Sequence, residues 1–168
     1  MSTQQLNALE KPELKDALFK CCGSTEWVTR LSNLFPVRDE QQLFNAAEKI
    51  WYVLPENAWR EAFTHHPKIG DIDSLKEKFA ATAQWAAGEQ AAVTQTSEEI
   101  LQELAVGNQL YEKKFGYIFI VCATGKSAEE MLALLQDRLP NSQEEEIKIA
   151  MGEQNKITRI RLEKLLAK

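Results

Sequence analysis

The sequence lacks the features by which proteins usually bind nucleic acids or enter membranes. Its 168 residues carry 20 Lys and Arg against 25 Asp and Glu, a formal net charge of −5, whereas nucleic acids and anionic membranes are met by clustered positive charge. No segment approaches the ~20 apolar residues of a membrane-spanning helix, and no basic region followed by an apolar stretch begins the sequence. We therefore expect a cytoplasmic protein that binds a small molecule or another protein, and neither a nucleic acid nor a membrane.

Cysteine and histidine are also scarce, at three and two residues. Cys21, Cys22 and Cys122 form neither a CxxC pair nor an even framework for disulfides, which suits a reducing compartment. Cys22, Cys122 and the two histidines offer too few suitably spaced ligands for a metal such as zinc. Nucleophilic catalysis has no support either, because GxSxG is absent and nothing near Cys22 in the sequence would lower the pKa of its thiol. General acid–base chemistry is left open.

Helical periodicity, in contrast, runs through most of the chain. Apolar residues recur at helical spacing in four stretches before residue 67, and prolines mark where these stretches begin or end. Thr96, Ser127 and Ser142 are each followed three residues later by Glu, the capping-box pattern at which a helix begins. Residues 116–122 form a short apolar, aromatic and β-branched run, which predicts a buried extended segment. We predict an all-α, single-domain helical bundle of about eight helices over residues 1–168, with one short buried extended segment.

Polar residues on the apolar faces of helices indicate where function is best sought, because burying an unpaired polar group costs free energy. Asn108 interrupts the apolar face of the helix predicted after Thr96, and Arg161 interrupts that of the last helix. Arg159 lies about 160° around the helix from Arg161 and is expected to pair with Glu163 on the solvent side. Arg161 is either a structural ion-pair partner or snorkelling side chain, or an anion-binding group.

His66 precedes Pro67 at the end of a predicted helix. A residue before proline is pushed out of the helical conformation, so His66 should turn away at the helix C-terminus, where the helix dipole favours the imidazolium form. The local sequence leaves both a bystander and a catalytic histidine open. Glu89 and Gln90 follow a turn of small residues. They either begin a helix in contact with solvent or provide the acid and the amide of a functional site.

A set of short motifs is linked in unbroken order over about residues 10–168. They are His66-Pro67-x-Ile69-Gly70, Lys78-Phe79-Ala80, Glu89-Gln90, Asn108-x-x-Tyr111, Phe115-Gly116-Tyr117-Ile118-Phe119-Ile120, Cys122-Ala123, Gly125-Lys126-Ser127, Lys156-Ile157 and Arg161-Leu162. Several linked motifs are more specific than any one alone. Together they resemble one family, that of 2-oxo-4-hydroxy-4-carboxy-5-ureidoimidazoline (OHCU) decarboxylases.

The resemblance implies an all-α homodimer that uses neither a metal nor an organic cofactor. It implies a small-molecule ureide substrate, OHCU, which is converted to (S)-allantoin and CO2 in urate breakdown. His66 matches the family's catalytic acid, Glu89 its partner carboxylate and Arg161 its inward arginine. The ligand contacts of the family match Pro67, Gln90 and the backbone of Phe119, Ile120, Val121, Cys122 and Ala123.

One position departs from the family pattern. Ala86 stands where many members carry a serine, three residues before Glu89, so a hydroxyl contact to the substrate would be missing or replaced by water. This leaves room for an alternative from another class, a non-catalytic helical module that binds a ureide. A third hypothesis is an acid–base hydrolase or isomerase of a neighbouring ureide, which would release no CO2.

Overall fold

The structure, a computed structural model, describes residues 1–66 and 90–167, and for residues 90–97 the backbone alone. These ranges contain eight α-helices and no β-strand, which confirms the predicted all-α class. The chain divides into two compact units, one of Met1–His66 with Ile149–Lys168 and the other of Pro67–Lys148. One domain over residues 1–168 stays a prediction.

Five helices precede residue 67. They are α1 (Thr3–Asn7), α2 (Lys11–Cys21), α3 (Thr25–Ser32), α4 (Glu40–Val53) and α5 (Glu56–Thr64). The sequence predicted four, and the one it missed is α1, which is too short to show an apolar period. Ser2 and Gln5 cap α1 reciprocally, so the Ser-x-x-Gln pattern was the available signal.

Three helices follow in the second part of the chain, namely α6 (Gln90–Phe115), α7 (Ala128–Arg138) and α8 (Gln143–Leu166). Ser127 and Ser142 cap α7 and α8 as predicted, each accepting a backbone N–H three residues later at 3.2 Å. The predicted helix start at Thr96 is wrong, because α6 already begins at Gln90. Alanines precede Thr96 and neither Gly nor Pro intervenes, so nothing there stops the helix. No helix in residues 1–66 or 90–167 is both long and apolar enough to span a membrane.

The run predicted to be a buried extended segment follows α6. Gly116 ends the helix with a φ of 81°, a conformation that glycine adopts without strain. Residues 118–123 form neither helix nor strand, while the side chains of Tyr117, Ile120 and Cys122 are buried. The segment therefore exposes a non-helical backbone beside a buried set of side chains.

Tryptophan side chains position α8 in the unit of residues 1–66 and 149–168. Trp51 is almost fully buried, and its indole N–H donates to the carbonyl oxygen of Met151 at 2.9 Å. Trp27, fully buried, donates to the carbonyl of Ala47 at 3.0 Å. Because a buried indole N–H needs an acceptor, these bonds fix α3 to α4 and α4 to α8.

A buried ion pair organises the unit of residues 67–148. The guanidinium of Arg138 binds one carboxylate oxygen of Glu146 through Nε at 2.6 Å and Nη2 at 2.5 Å, and the Tyr111 hydroxyl donates to the same oxygen at 2.5 Å. Asn141 donates to the other oxygen at 3.1 Å. Arg138 Nη1 also donates to the carbonyl of Ile120 at 2.6 Å. The ion pair thereby anchors the non-helical segment to α7 and α8.

Replacing Gly23 by alanine should destabilise the protein. Gly23 is buried between α2 and α3, and a Cβ built on it would lie 2.6 Å from the Cβ of His65 and 2.8 Å from its ring. Since a Cβ cannot rotate away, the backbone must shift, and we expect urea denaturation to show a loss of about 1–3 kcal/mol in the free energy of unfolding. Gly152→Ala is the control, because its Cβ would meet only the Tyr52 hydroxyl at 3.9 Å, and alanine should stabilise α8 by about 0.5–1 kcal/mol. Equal effects of the two changes would contradict the argument.

Replacing Arg138 by methionine should destabilise the protein more strongly. The change leaves the Glu146 carboxylate, which is fully buried, without its cation, and breaking a buried pair costs about 3–5 kcal/mol. The same measurement on Arg30→Met provides the comparison, because Arg30 and its partner Glu26 are both exposed and such pairs contribute at most about 1 kcal/mol. A loss no larger for Arg138→Met than for Arg30→Met would show that the buried pair is not a structural anchor.

Candidate active site

His66 lies just beyond the C-terminal end of α5. The helix ends at Thr64 with His65 as its cap, and His66 has left the helical conformation, as the following proline predicts. The ring of His65 is held aside by an edge contact with Phe19, at 4.9 Å between ring centroids. The ring of His66 is half-buried instead, and its Nε2 forms a hydrogen bond with the Oε1 of Gln154 on α8. The two adjacent histidines therefore occupy different environments.

A row of polar side chains on α8 receives His66. Gln154 is fully buried and its Nε2 donates to the Oγ1 of Thr158 at 3.0 Å. The Thr158 hydroxyl in turn acts to lower the pKa of the Cys22 thiol, against the larger effect of burial. Arg161 follows at the next turn and is half-buried. The spacing of four and three residues places these side chains on one face of α8, so one helix presents both the partner of His66 and a cation.

Burial sets the protonation state of His66. Desolvation lowers the pKa of its imidazole below the usual 6.5, the positive charge of Arg161 and the neighbouring His65 lower it further, and the hydrogen bond from Gln154 acts in the opposite direction but does not prevail. Burial and the two neighbouring groups thus oppose the imidazolium form that the helix dipole by itself would favour. At neutral pH His66 carries one proton.

Arg161 carries a charge that no carboxylate of the described residues compensates. Neither a salt bridge nor a hydrogen bond joins its guanidinium to residues 1–66 or 98–167, although its charge acts on His66, Cys21 and Cys22. Within these ranges the structural ion pair considered for Arg161 is not formed. A half-buried guanidinium that lacks an anion can bind one supplied by a ligand.

Arg159 shows the surface behaviour that the sequence predicted. Its Nε lies 2.9 Å from the Oε1 of Glu163, with both side chains about half exposed. The guanidinium also lies over the ring of Phe44, 4.0 Å from the ring centroid. Arg159 and Arg161 therefore differ in environment although two residues separate them.

The cysteines of this unit are buried thiols. Burial raises the pKa of Cys22 to about 12 and that of Cys21 to about 11. Both groups stay protonated at neutral pH and are poor nucleophiles. The sequence-based argument that nothing near Cys22 lowers the pKa of its thiol agrees with this environment. In the described part of the chain no cluster of three or more His, Cys, Asp or Glu is suited to a metal.

The backbone contacts predicted at residues 119–123 belong to the unit of residues 67–148. The carbonyl of Ile120 accepts from Arg138 and that of Cys122 from the Nζ of Lys126, at 2.6 and 2.7 Å. The backbone N–H groups of Phe119, Ile120 and Val121 donate to no group in residues 1–66 or 98–167. N–H groups that bond nothing within the described ranges, in a partly buried segment, are suited to the oxygen atoms of a ligand. Val121 and Ala123 are half-buried.

Four of the predicted site residues lie wholly or in part outside the described residues. Pro67, Ala86 and Glu89 lie outside the described residues, and Gln90 is the first residue of α6, with its side chain outside them. Of the predicted catalytic and cationic residues, the described ranges include His66 and Arg161, and both belong to the unit of residues 1–66 and 149–168.

Sequence reasoning did not single out the residues that connect His66 to α8. Gln154 and Thr158 are not among the predicted site residues, although an amide on the apolar face of α8 is a signal for Gln154. Asn108, which interrupts the apolar face of α6, donates to the carbonyl of Leu104 at 2.8 Å. Its amide is therefore satisfied within α6.

Comparisons with known proteins agree on one family. The family model for OHCU decarboxylase matches residues 7–163. The chain is 39% identical to an OHCU decarboxylase whose crystal structure was determined in the presence of (S)-allantoin, with a TM-score of 0.74 over 91% of this chain and 99% of that one.

Curated relatives extend the same similarity. The uric acid degradation bifunctional protein TTL of Arabidopsis thaliana is 38% identical over 148 residues, which cover 88% of this chain and 45% of that protein. The 2-oxo-4-hydroxy-4-carboxy-5-ureidoimidazoline decarboxylase of Haloferax volcanii is 22% identical over 96% of this chain and 94% of its own length. The chain thus spans less than half of the bifunctional plant protein and nearly the whole of the archaeal one. Because the family model covers most of the chain, the protein belongs to the OHCU decarboxylase family.

Proposed function

We propose that this protein decarboxylates OHCU to (S)-allantoin and CO2 in urate breakdown, by acid–base catalysis without a cofactor. The observation that carries the proposal is that one unit of the fold holds a half-buried His66, whose pKa burial lowers, and an Arg161 that no carboxylate of the described residues compensates. Membership of the family supports the choice of substrate, and the similar chain crystallised with (S)-allantoin supports the product.

The chemistry requires an enzyme to hold a ring and move a proton. Loss of CO2 from a tetrahedral carbon leaves an electron pair that moves into the neighbouring C=N and ureido system, and a proton must then arrive on one face of the ring. His66, working with Glu89, manages the proton of the substrate hydroxyl and delivers the final proton. A proton delivered from one fixed side gives one enantiomer.

Binding is assigned to groups that can pair with the substrate's charge and its urea-like edges. Arg161 binds an anionic or carbonyl group of the substrate. The N–H groups of residues 119–123, together with Pro67 and Gln90, provide the contacts that the family resemblance assigns to them. At Ala86 the hydroxyl contact that many members supply is missing or replaced by a water molecule.

We also propose that the protein acts as a homodimer in the cytoplasm, with residues 1–168 forming one domain. The homodimer rests on the family resemblance, and the mass measured in solution tests it. The cytoplasmic location is supported by the three cysteines, all of which are buried free thiols of the kind found in reducing compartments.

Replacing His66 by glutamine should remove most of the catalysis. The substrate is generated in place from urate by upstream enzymes, and the optically active allantoin is followed by circular dichroism. We expect the rate above the uncatalysed decay to fall by about 10²–10⁴-fold, the usual contribution of a general acid–base group, while the far-ultraviolet spectrum of the folded protein is unchanged.

His65→Gln is the matched control, since it makes the same change on the exposed neighbouring residue and should leave the rate near that of the wild type. Full turnover by His66→Gln would show that another group moves the proton. If the wild type itself binds a ureide but gives only racemic allantoin at the uncatalysed rate, the protein is the non-catalytic ureide-binding module.

Replacing Arg161 by glutamine should weaken catalysis through the loss of a charged contact. A hydrogen bond to a charged group contributes about 1.5–3 kcal/mol, so kcat/KM should fall by about 10- to 150-fold in the same assay. Arg159→Gln is the control on the same helix, and it should have little effect because Arg159 pairs with Glu163 at the surface. Equal losses from the two changes would mean that Arg161 does not contact the substrate.

A further inference from the structure

The hydrogen bonds that end at His66 have a defined direction. The amide nitrogen of Gln154 donates to the Oγ1 of Thr158, so the amide oxygen is the atom that faces the Nε2 of His66. An amide oxygen accepts and never donates, which requires the proton of the pair to reside on Nε2. In a neutral imidazole the other nitrogen, Nδ1, then carries the lone pair.

We propose that Gln154 is a positioning residue, whose side-chain oxygen holds neutral His66 in the Nε2–H tautomer and leaves Nδ1 as the nitrogen that exchanges the substrate proton. Gln154 suits this purpose because it is fully buried and held from behind by Thr158. Trp51 also fixes the preceding turn of α8 through the carbonyl of Met151. A side-chain amide that is hydrogen-bonded through both its oxygen and its nitrogen cannot flip by 180° without losing a buried hydrogen bond.

The surroundings of His66 fit a ring that begins the reaction neutral. Among the described residues the charged and titratable groups that act on it are Arg161 on α8 and His65 beside it, and both oppose a second proton on the ring. Gln154 is uncharged, so it orients the ring without fixing a positive charge there. An aspartate or glutamate at this position would instead stabilise the imidazolium.

The proposal deepens the proposed function and rests on it for the proton transfer alone. As the substrate hydroxyl becomes a carbonyl, its proton moves to the Nδ1 lone pair, and the imidazolium then returns a proton to the ring carbon that becomes stereogenic. His66 ends with the same number of protons as it began. The electron pair that CO2 leaves behind moves onto the nitrogen of the neighbouring C=N group, and this nitrogen takes from water the one further proton that the reaction consumes.

Nitrogen-15 NMR of the histidine-labelled wild-type protein tests the tautomer directly. The chain has two histidines, so His66→Gln assigns both signals by difference. We expect the His66 ring to be neutral at pH 7 with its proton on Nε2. A proton on Nδ1, or an imidazolium at pH 7, would overturn the proposal whatever the protein catalyses.

Two substitutions of Gln154 should shift the acidic limb of kcat/KM against pH in opposite directions. Gln154→Glu places a carboxylate beside the Nε2 of His66, so the pKa of His66 should rise and the acidic limb should move to higher pH. Gln154→Leu removes the hydrogen bond that favours the protonated ring, so the limb should move to lower pH. We also expect kcat to fall about five- to tenfold in Gln154→Leu, with KM nearly unchanged, because the lost bond positions the ring rather than the substrate.

Controls separate positioning from stability and from charge. Gln41→Glu makes the same change at an exposed site on α4, where Gln41 bonds Asn45, and it should leave the profile in place. Thr158→Val frees the Gln154 amide without altering charge, and it should give a mixture of the two His66 tautomers by NMR even if the Gln154 variants do not fold. The positioning role would be contradicted if Thr158→Val left the His66 tautomer unchanged. It would also be contradicted if folded Gln154 variants left the acidic limb of kcat/KM against pH in place, and Gln154 would then have a structural role only. A wild type with the expected tautomer but no CO2 release would instead contradict the proposed function.

Discussion

The structure depends on one constraint, that a polar group taken from water into a helical interior must find a partner there. In the unit of residues 67–148 the constraint is met by the ion pair of Arg138 and Glu146, to which the hydroxyl of Tyr111 is added. In the other unit it is met by hydrogen bonds that run from His66 through Gln154 to Thr158. The first arrangement holds charges and fixes a backbone segment, whereas the second is uncharged and fixes a titratable ring.

This difference matters for the chemistry. A buried ion pair resists change, because removing either partner leaves a charge without compensation. A histidine held by an amide gains and loses a proton at lower cost, since its partner brings no charge of its own. Arg161 departs from this constraint within the described residues, and a half-buried cation in that state is tolerated most readily where a ligand supplies the anion.

Much of the fold could be read from the sequence because it is encoded locally. The apolar period predicted α2 to α5, and Ser127 and Ser142 cap α7 and α8 where the capping pattern placed them. The errors have local causes too. Residues 3–7 form a helix too short to show a period, and the Thr96 pattern lies inside a helix that its preceding alanines already favour.

The sequence by itself determined the helical class, the family and the identity of His66 and Arg161 as residues of interest, because periodicity, caps and linked motifs are properties of neighbouring residues. Only the tertiary structure decided the protonation state of His66 and its partner. The sequence predicted a favoured imidazolium from the helix end, but burial and Arg161 lower the pKa of the ring. Gln154 is 88 residues further along the chain, and no local pattern reports which side chains a fold brings together or how much water it removes from them.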